Sequence, residues 1–219
     1  MKMGILPVFN ENWTILWPSV ARSSGDTTTS FERIGYLFVP RIGYVSEMSE
    51  SLSSGRTLII VCGLPGVGKS TVASMITELT GGECLRTDDI RREVFDSPQY
   101  TPEESRVTYE ALLDRAQALL QGTDIVLDGT FSDTSKRESA RRLADLTDAE
   151  HRFLRVHTDE RVVKERISGR QAPRDADFRI HLEKKASFDE FSDEVPVIDN
   201  SGTTAKTRRQ IEGWVREAF

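Results

Sequence analysis

Nine consecutive residues, Gly63-Leu64-Pro65-Gly66-Val67-Gly68-Lys69-Ser70-Thr71, bring three glycines, a lysine and two hydroxyls together directly after the apolar run Leu58-Ile59-Ile60-Val61. Glycines let backbone amides turn inward around an anion, and a helix that starts beneath them adds the positive end of its dipole. In that pattern the lysine reaches the terminal phosphates of a nucleotide and the following hydroxyl ligates Mg²⁺. The spacing is that of a P-loop, so the chemistry expected is the binding of ATP with Mg²⁺. Residues 63–71 are the predicted nucleotide contacts, with Lys69 also a candidate catalytic residue and Ser70 a candidate metal ligand.

Three further sets extend this chemistry. Ile125-Val126-Leu127-Asp128 is an apolar strand pattern that ends in an acid, where a carboxylate can hold the metal beside a phosphate cradle, so Asp128 joins Ser70 as a candidate Mg²⁺ ligand. In Arg86-Thr87-Asp88-Asp89-Ile90-Arg91, Asp88 is the candidate general base for an attacking hydroxyl, and Asp89 and Arg91 are candidates for holding the acceptor. The competing reading of the two acids is a helix N-cap. Between Arg161 and Arg174, Arg166 and Arg170 stand four apart and share a helix face. A mobile lid bearing them, with Gly169 and Pro173 as its hinge, can deliver positive charge to a migrating phosphoryl group. Arg170 is therefore a predicted catalytic residue and Arg166 a predicted substrate contact; the competing reading is a solvated basic helix paired with Glu165 and Asp175.

These groups converge only if strands and helices alternate. Short strands are expected at Thr57–Cys62, Glu83–Arg86, Ile125–Asp128, Arg152–His157 and Val195–Ile198, separated by helical patterns, which implies a parallel sheet with crossover helices. Thr101-Pro102-Glu103-Glu104 reads as a helix start, with Thr101 as cap, Pro102 in the first turn and Glu104 closing a capping box. Val107, Ala111, Leu112, Ala116 and Leu119 then form its apolar stripe. Arg137–Leu146 and Thr204–Ala218 read as further amphipathic helices.

A chain of 219 residues accommodates one catalytic domain plus an extension. Residues 1–55 lack a sustained period and are expected to be a poorly structured N-terminal extension, followed by the nucleotide-binding domain over 56–219. Met48, opening a polar run just before the first strand, is a candidate native start. The longest apolar stretch, near residues 57–62, is too short to cross a bilayer, so no membrane association is expected. A net charge of −6 argues against a broad non-specific nucleic-acid surface and leaves room for a local basic pocket. Cys62 and Cys84 sit inside strand patterns rather than in a paired motif, which favours buried thiols in a reducing compartment and a cytoplasmic protein. His151, His157 and His181 do not have metal-ligand spacing, and surface or strand-edge positions are expected for them.

The set as a whole, Gly-Leu-Pro-Gly-Val-Gly-Lys-Ser-Thr, Thr-Asp-Asp-Ile-Arg, Leu-Asp-Gly-Thr-Phe, Glu-Arg-Ile-x-x-Arg and Val-Ile-Asp-Asn-Ser, resembles the zeta-toxin-like and polynucleotide-kinase-like group of P-loop kinases over about residues 57–215. That group is itself similar to the kinases of seryl-tRNA for selenocysteine, gluconate, adenylylsulfate and chloramphenicol. The resemblance implies an α/β fold with a five-stranded parallel sheet in the order 2-3-1-4-5, flanked by helices and carrying a short arginine-bearing lid. It also implies ATP with Mg²⁺, Asp88 as general base, Arg91 as substrate clamp, Arg170 as lid arginine and the loop after Ile198 near adenine. Within the group, Arg86–Arg91 is similar to the polynucleotide 5′-hydroxyl kinases, although no phosphatase-type domain accompanies it here. The expected partners are ATP and a hydroxyl acceptor, either a small molecule or a nucleic-acid 5′ end. The rival expectation, a nucleotide-dependent switch without an acceptor, finds no Asn-Lys-x-Asp element and little room for the helical lid domain of a ring ATPase.

Overall fold

The computed structural model describes residues 55–168 and 175–219. The fold grows from its two most apolar segments. β1 (Thr57–Cys62) buries all six of its residues and β3 (Ile125–Asp128) all four. Strands with no polar face must be covered on both sides, which parallel pairing with helical crossovers achieves. β1 pairs with β3 on one side and with β4 (Glu150–His157) on the other. β2 (Glu83–Arg86) adds beyond β3 and β5 (Val197–Asp199) beyond β4, every pair parallel, in the order β2-β3-β1-β4-β5. This is the sheet that the resemblance implied.

The helices are α1 (Lys69–Thr80), α2 (Thr87–Val94), α3 (Pro102–Leu119), α4 (Thr134–Thr147), α5 (Glu160–Ser168), α6 (Asp175–Ala186) and α7 (Thr204–Ala218). Successive residues of a strand face opposite sides. Accordingly Leu58, Ile60 and Cys62 pack with Leu112 and Ala116 of α3 and Ala140 and Leu143 of α4. Ile59 and Val61 pack with Val72 and Ile76 of α1, Val163 and Ile167 of α5 and Ile211 of α7. The phosphate-binding segment follows β1, and Arg86, Asp128 and His157 end the neighbouring strands at the same rim. Ligands of open α/β sheets bind at that rim.

Several boundaries differ from expectation for identifiable reasons. β5 starts at Val197 rather than Val195, because Pro196 has no N–H for a ladder; its carbonyl accepts instead from the Arg155 amide, 2.9 Å away. β4 begins at Glu150, two residues early, in register with Thr57. α4 begins at Thr134, where the Asp133 side chain accepts from the Lys136 amide. On α3 the buried ridge is Thr108, Leu112 and Ala116 with Tyr109, while Val107, Ala111 and Leu119 are only half-buried. Thr108 can be buried because its hydroxyl donates to the Glu104 carbonyl at 2.7 Å. Thr101 does cap α3 by accepting from the Glu104 amide at 3.2 Å, but the Glu104 carboxylate reaches back past the cap to the amides of Gln99 and Tyr100. α2 has Arg86 as its N-cap, so Asp88 and Asp89 occupy the first helical turn rather than the cap.

Cys62 and Cys84 are both free. They lie on β1 and β2, which β3 separates, so about two strand spacings, roughly 9–10 Å, stand between them and no disulfide can close. His151 and His157 are exposed as expected, whereas His181 is 1% exposed. The expectation of a surface histidine fails there because α6 lays that side chain against the phosphate loop. Among the described residues no helix is long and apolar enough to cross a membrane, and no metal-holding cluster of His, Cys, Asp and Glu occurs. The extension over 1–55 with its Met48 start, and Arg170, Gly169 and Pro173 of the lid, lie outside the described residues, apart from Gly55.

Candidate active site

The loop from Gly63 to Gly68 turns the chain from β1 into α1. Gly68 is the N-cap of α1 in a left-handed conformation, φ 89°, and no side chain caps the helix. The Thr71 amide turns back to the Gly68 carbonyl at 3.1 Å, and among the described residues no side chain caps the amides of Lys69 and Ser70, the condition for an anion at a helix N-terminus. Lys69, the first residue of α1, folds back so that its Nζ donates to the Leu64 carbonyl at 3.0 Å. Burial lowers the Lys69 pKa, opposed by the nearby carboxylates of Asp128 and then Asp88. The ammonium is thus held on the loop carbonyl, within electrostatic reach of both acids.

Asp128 ends β3 opposite Val61 of β1 and Arg86 of β2. It is 5% exposed, and its Oδ2 accepts from Ser70 Oγ at 2.6 Å and from Arg86 Nε at 3.2 Å. A hydroxyl and a carboxylate in contact at the edge of a phosphate cradle form the oxygen donor set that a hard cation such as Mg²⁺ takes, so the residues present fit the metal. The Arg86 pKa is lowered by burial, but the Asp128 hydrogen bond and charge, with Asp89 and Asp88, raise it overall.

The acceptor-side candidates separate along α2. Asp88 is exposed and within electrostatic reach of Lys69. Asp89 is occupied by ion pairs to Arg92 and, at 3.9 Å, to Arg86. Arg91 is 8% exposed and turned into the seam between α2 and α3, with Nη1 3.8 Å from Glu104 Oε2 and the guanidinium 5.0 Å from the Tyr100 ring centre. That Nη1 has no hydrogen-bond partner. Arg166 lies on the opposite flank, beside the phosphate loop, where Nη2 donates to the Asn200 carbonyl at 2.7 Å. Hence Ser70 and Asp128 come together beside Lys69, Asp88 lies within electrostatic reach of that lysine with Arg91 one turn further along α2, and Arg166 stands with the phosphate loop.

Four residues that support the site are not singled out by the sequence, and only Asn200, in Val-Ile-Asp-Asn-Ser, falls within a motif. Asn200 Nδ2 donates to the Val67 carbonyl at 2.8 Å while its Oδ1 accepts from Thr207 Oγ1 at 2.9 Å. Thr158 Oγ1 donates to the same Val67 carbonyl at 2.9 Å. His181 Nδ1 is 2.7 Å from the Pro65 carbonyl. Arg137, 2% exposed, donates to the carbonyls of Phe131, Asp189 and Glu190, and so ties the loop after β3 to the segment before β5. Position offers a partial signal for Thr158 and Asn200, which directly follow β4 and β5 at the ligand-binding rim. For His181 and Arg137 no sequence signal exists.

An AAA domain family model matches residues 58–191. The uncharacterized proteins Rv2004c of Mycobacterium tuberculosis and Mb2027c of Mycobacterium bovis are each 36% identical over 126 residues, covering 52% of this chain and 25% of theirs. The chain thus spans about a quarter of the length of the curated relatives it matches. Among solved structures, a gluconokinase from Sinorhizobium meliloti 1021 is similar with a TM-score of 0.58 at 22% identity, over 75% of this chain and 93% of that one. A putative kinase from Chloroflexus aurantiacus gives 0.61 at 20%, over 76% and 97%. The Mycobacterium tuberculosis APS kinase CysC, in complex with AMPPNP and APS, gives 0.58 at 12%, over 74% and 96%. At these identities the likeness concerns the fold, a P-loop kinase-like α/β sheet. With 58–191 matched and the phosphate loop, Ser70 and Asp128 assembled at its rim, the chain belongs to this AAA domain family.

Proposed function

We propose that the protein is an ATP-dependent kinase that transfers the γ-phosphoryl group to a hydroxyl of a small molecule or a nucleic-acid 5′ end, within the zeta-toxin-like and polynucleotide-kinase-like group. The observation that carries this reading is the contact of Ser70 Oγ with Asp128 Oδ2, with the Lys69 ammonium within electrostatic reach of both Asp128 and Asp88. Residues 63–71 form the cradle for the phosphates, through the inward amides of the loop and of the start of α1, and Lys69 neutralises the terminal ones. Ser70 and Asp128 hold Mg²⁺, which when bound draws charge from the phosphate oxygens. Asp88, exposed in the first turn of α2, accepts the proton of the acceptor hydroxyl as its oxygen attacks the γ-phosphorus. The bond to the bridging oxygen breaks, and ADP leaves. Asp89 and Arg91 line the acceptor side. Arg166 is a substrate contact beside the phosphate loop, and Arg170 is the lid arginine that supplies positive charge to the migrating phosphoryl group.

The test is Asp88→Asn, assayed with γ-labelled ATP against 5′-hydroxyl RNA and DNA, aminoacyl-tRNA, nucleosides, sugars and sugar acids. ATP binding is expected to persist while transfer falls about 10²–10⁴-fold, the usual worth of a general base. Full transfer by the variant removes Asp88 from the mechanism. Hydrolysis that is indifferent to every acceptor and coupled to oligomerisation would instead support a nucleotide switch.

A further inference from the structure

A peptide unit is planar and trans, so its C=O and the following N–H point in opposite directions. Whatever holds a loop carbonyl outward therefore aims the next amide inward. In this phosphate loop two carbonyls are held from outside by side chains. The Val67 carbonyl accepts from Thr158 Oγ1 and Asn200 Nδ2, which aims the Gly68 amide into the cradle. The Pro65 carbonyl is contacted by His181 Nδ1 of α6, which aims the Gly66 amide. A carbonyl can only accept, so Nδ1 carries the proton.

The two anchors are not equally redundant. Val67 has two donors, and one of them, Asn200, is itself braced by Thr207. Pro65 has only His181 among the described residues. The peptide that His181 holds is also an easy one to turn over, because Gly66, at φ 84°, tolerates conformations of either sign. Pro65 has no amide of its own, so Gly66 is the first amide after Leu64 that can meet a phosphate oxygen. The imidazole is fixed in turn: it is 1% exposed and stacked on Phe178 at 5.8 Å with an interplanar angle of 4°.

We propose that His181 is a positioning residue for nucleotide binding, which locks the Pro65–Gly66 peptide so that the Gly66 N–H faces the phosphate chain. Its ligand is thus the polyphosphate of a nucleotide, reached through the loop and not touched by the imidazole. This rests on the reading of the loop as an ATP site, and goes beyond it by naming a residue of α6, over a hundred positions downstream, as a determinant of affinity.

The experiment titrates the full chain with Mg²⁺–AMPPNP by calorimetry and follows the Gly66 amide in ¹⁵N-glycine-labelled protein. His181→Phe keeps an aromatic ring for Phe178 but loses the donor. It is expected to bind about tenfold more weakly, the order of one net hydrogen bond, and to lose the ligand-induced shift of the Gly66 amide. His181→Asn places an amide N–H where Nδ1 stood and is expected to recover affinity and shift, whereas His181→Gln, whose donor sits at the Nε2 position, is not. The Asn and Gln pair keeps the test meaningful if the Phe variant folds poorly. Wild-type affinity in His181→Phe, or equal affinity in His181→Asn and His181→Gln, overturns the proposal while leaving the ATP reading intact. Failure of the wild-type chain to bind AMPPNP overturns both.

Discussion

Gly68→Ala is the perturbation whose cost can be worked most directly from the structure. Gly68 lies at φ 89°, where an L side chain costs about 1–2 kcal/mol. Its added methyl also collides with Asn200 Nδ2, the atom that donates to the Val67 carbonyl. That collision does not orphan the carbonyl, because Thr158 Oγ1 still donates to it, so the loss is near one net hydrogen bond, about 1 kcal/mol, rather than a full desolvation penalty. Movement of Asn200 also strains its bond to Thr207 Oγ1, and the total comes to about 2–4 kcal/mol, within the stability of an ordinary domain. For a domain of this size that lowers the melting temperature by about 5–15 °C. The assay is thermal and urea unfolding of wild type, Gly68→Ala, Asn200→Ala and the double variant. Asn200→Ala removes the atom in the way, so its own cost is expected to shrink by about 1 kcal/mol in the Gly68→Ala background. Strict additivity, or a Gly68→Ala protein as stable as wild type, refutes the reasoning that Asn200 seats the loop.

Two further outcomes concern the scaffold. Arg137→Met is expected to destabilise by about 3–5 kcal/mol with an unchanged urea m-value, because it leaves the Phe131, Asp189 and Glu190 carbonyls without their shared donor. Arg137→Lys is expected to recover little, since one ammonium cannot span acceptors that a planar fork reaches together. Burial pushes the Cys62 thiol up to about 12, against the opposing pull of Arg137 and Lys69. A thiol reagent at pH 8 is therefore expected to modify it only as fast as the domain opens. Because the folded state disfavours the thiolate, that stabilising contribution is complete below the unfolded value near 9 and is lost as pH rises toward 12. Rapid labelling of native Cys62, or stability indifferent to pH across that window, refutes the assignment of its burial.

The parts of the fold that were legible are those where one physical requirement selects one residue pattern. β1 and β3 are covered on both faces, so Leu58–Val61 and Ile125–Leu127 read as unbroken apolar runs. The phosphate loop demands glycine where φ is positive at Gly66 and Gly68, and a hydroxyl within reach of an acid, and Ser70 and Asp128 meet at 2.6 Å although they stand 58 positions apart. The β5 edge was less legible, whereas β2 at the other edge has the bounds expected of it. β5 is only Val197–Asp199, and Pro196 shifts its start in a way that hydropathy does not register. The Arg137 side chain read as part of an amphipathic surface because an arginine in a helix ordinarily is one; its burial depends on three carbonyls, two of them more than fifty residues away.

The same contrast explains why the donor side of the site was only half legible. A phosphate loop is recognised by the residues that form it, but its amides face inward only if something outside holds the carbonyls. Those holders, Thr158, His181 and Asn200, come from three later elements, 91 to 133 residues from the carbonyls they contact. Any donor of suitable length can do that work, so no fixed residue type or spacing marks it, and a histidine in such a place reads as surface. Arg91 shows the converse. Its three-residue spacing from Asp88 puts it on the same helical face, which spacing alone makes an acceptor clamp. Yet Glu104, by gathering the Gln99 and Tyr100 amides, draws the guanidinium toward α3 and beneath the Tyr100 ring. In the proposed reaction, an acceptor anion that reached Arg91 would have to compete with Glu104, 3.8 Å from its Nη1, so the arginine's availability depends on that pairing as well as on its spacing from Asp88.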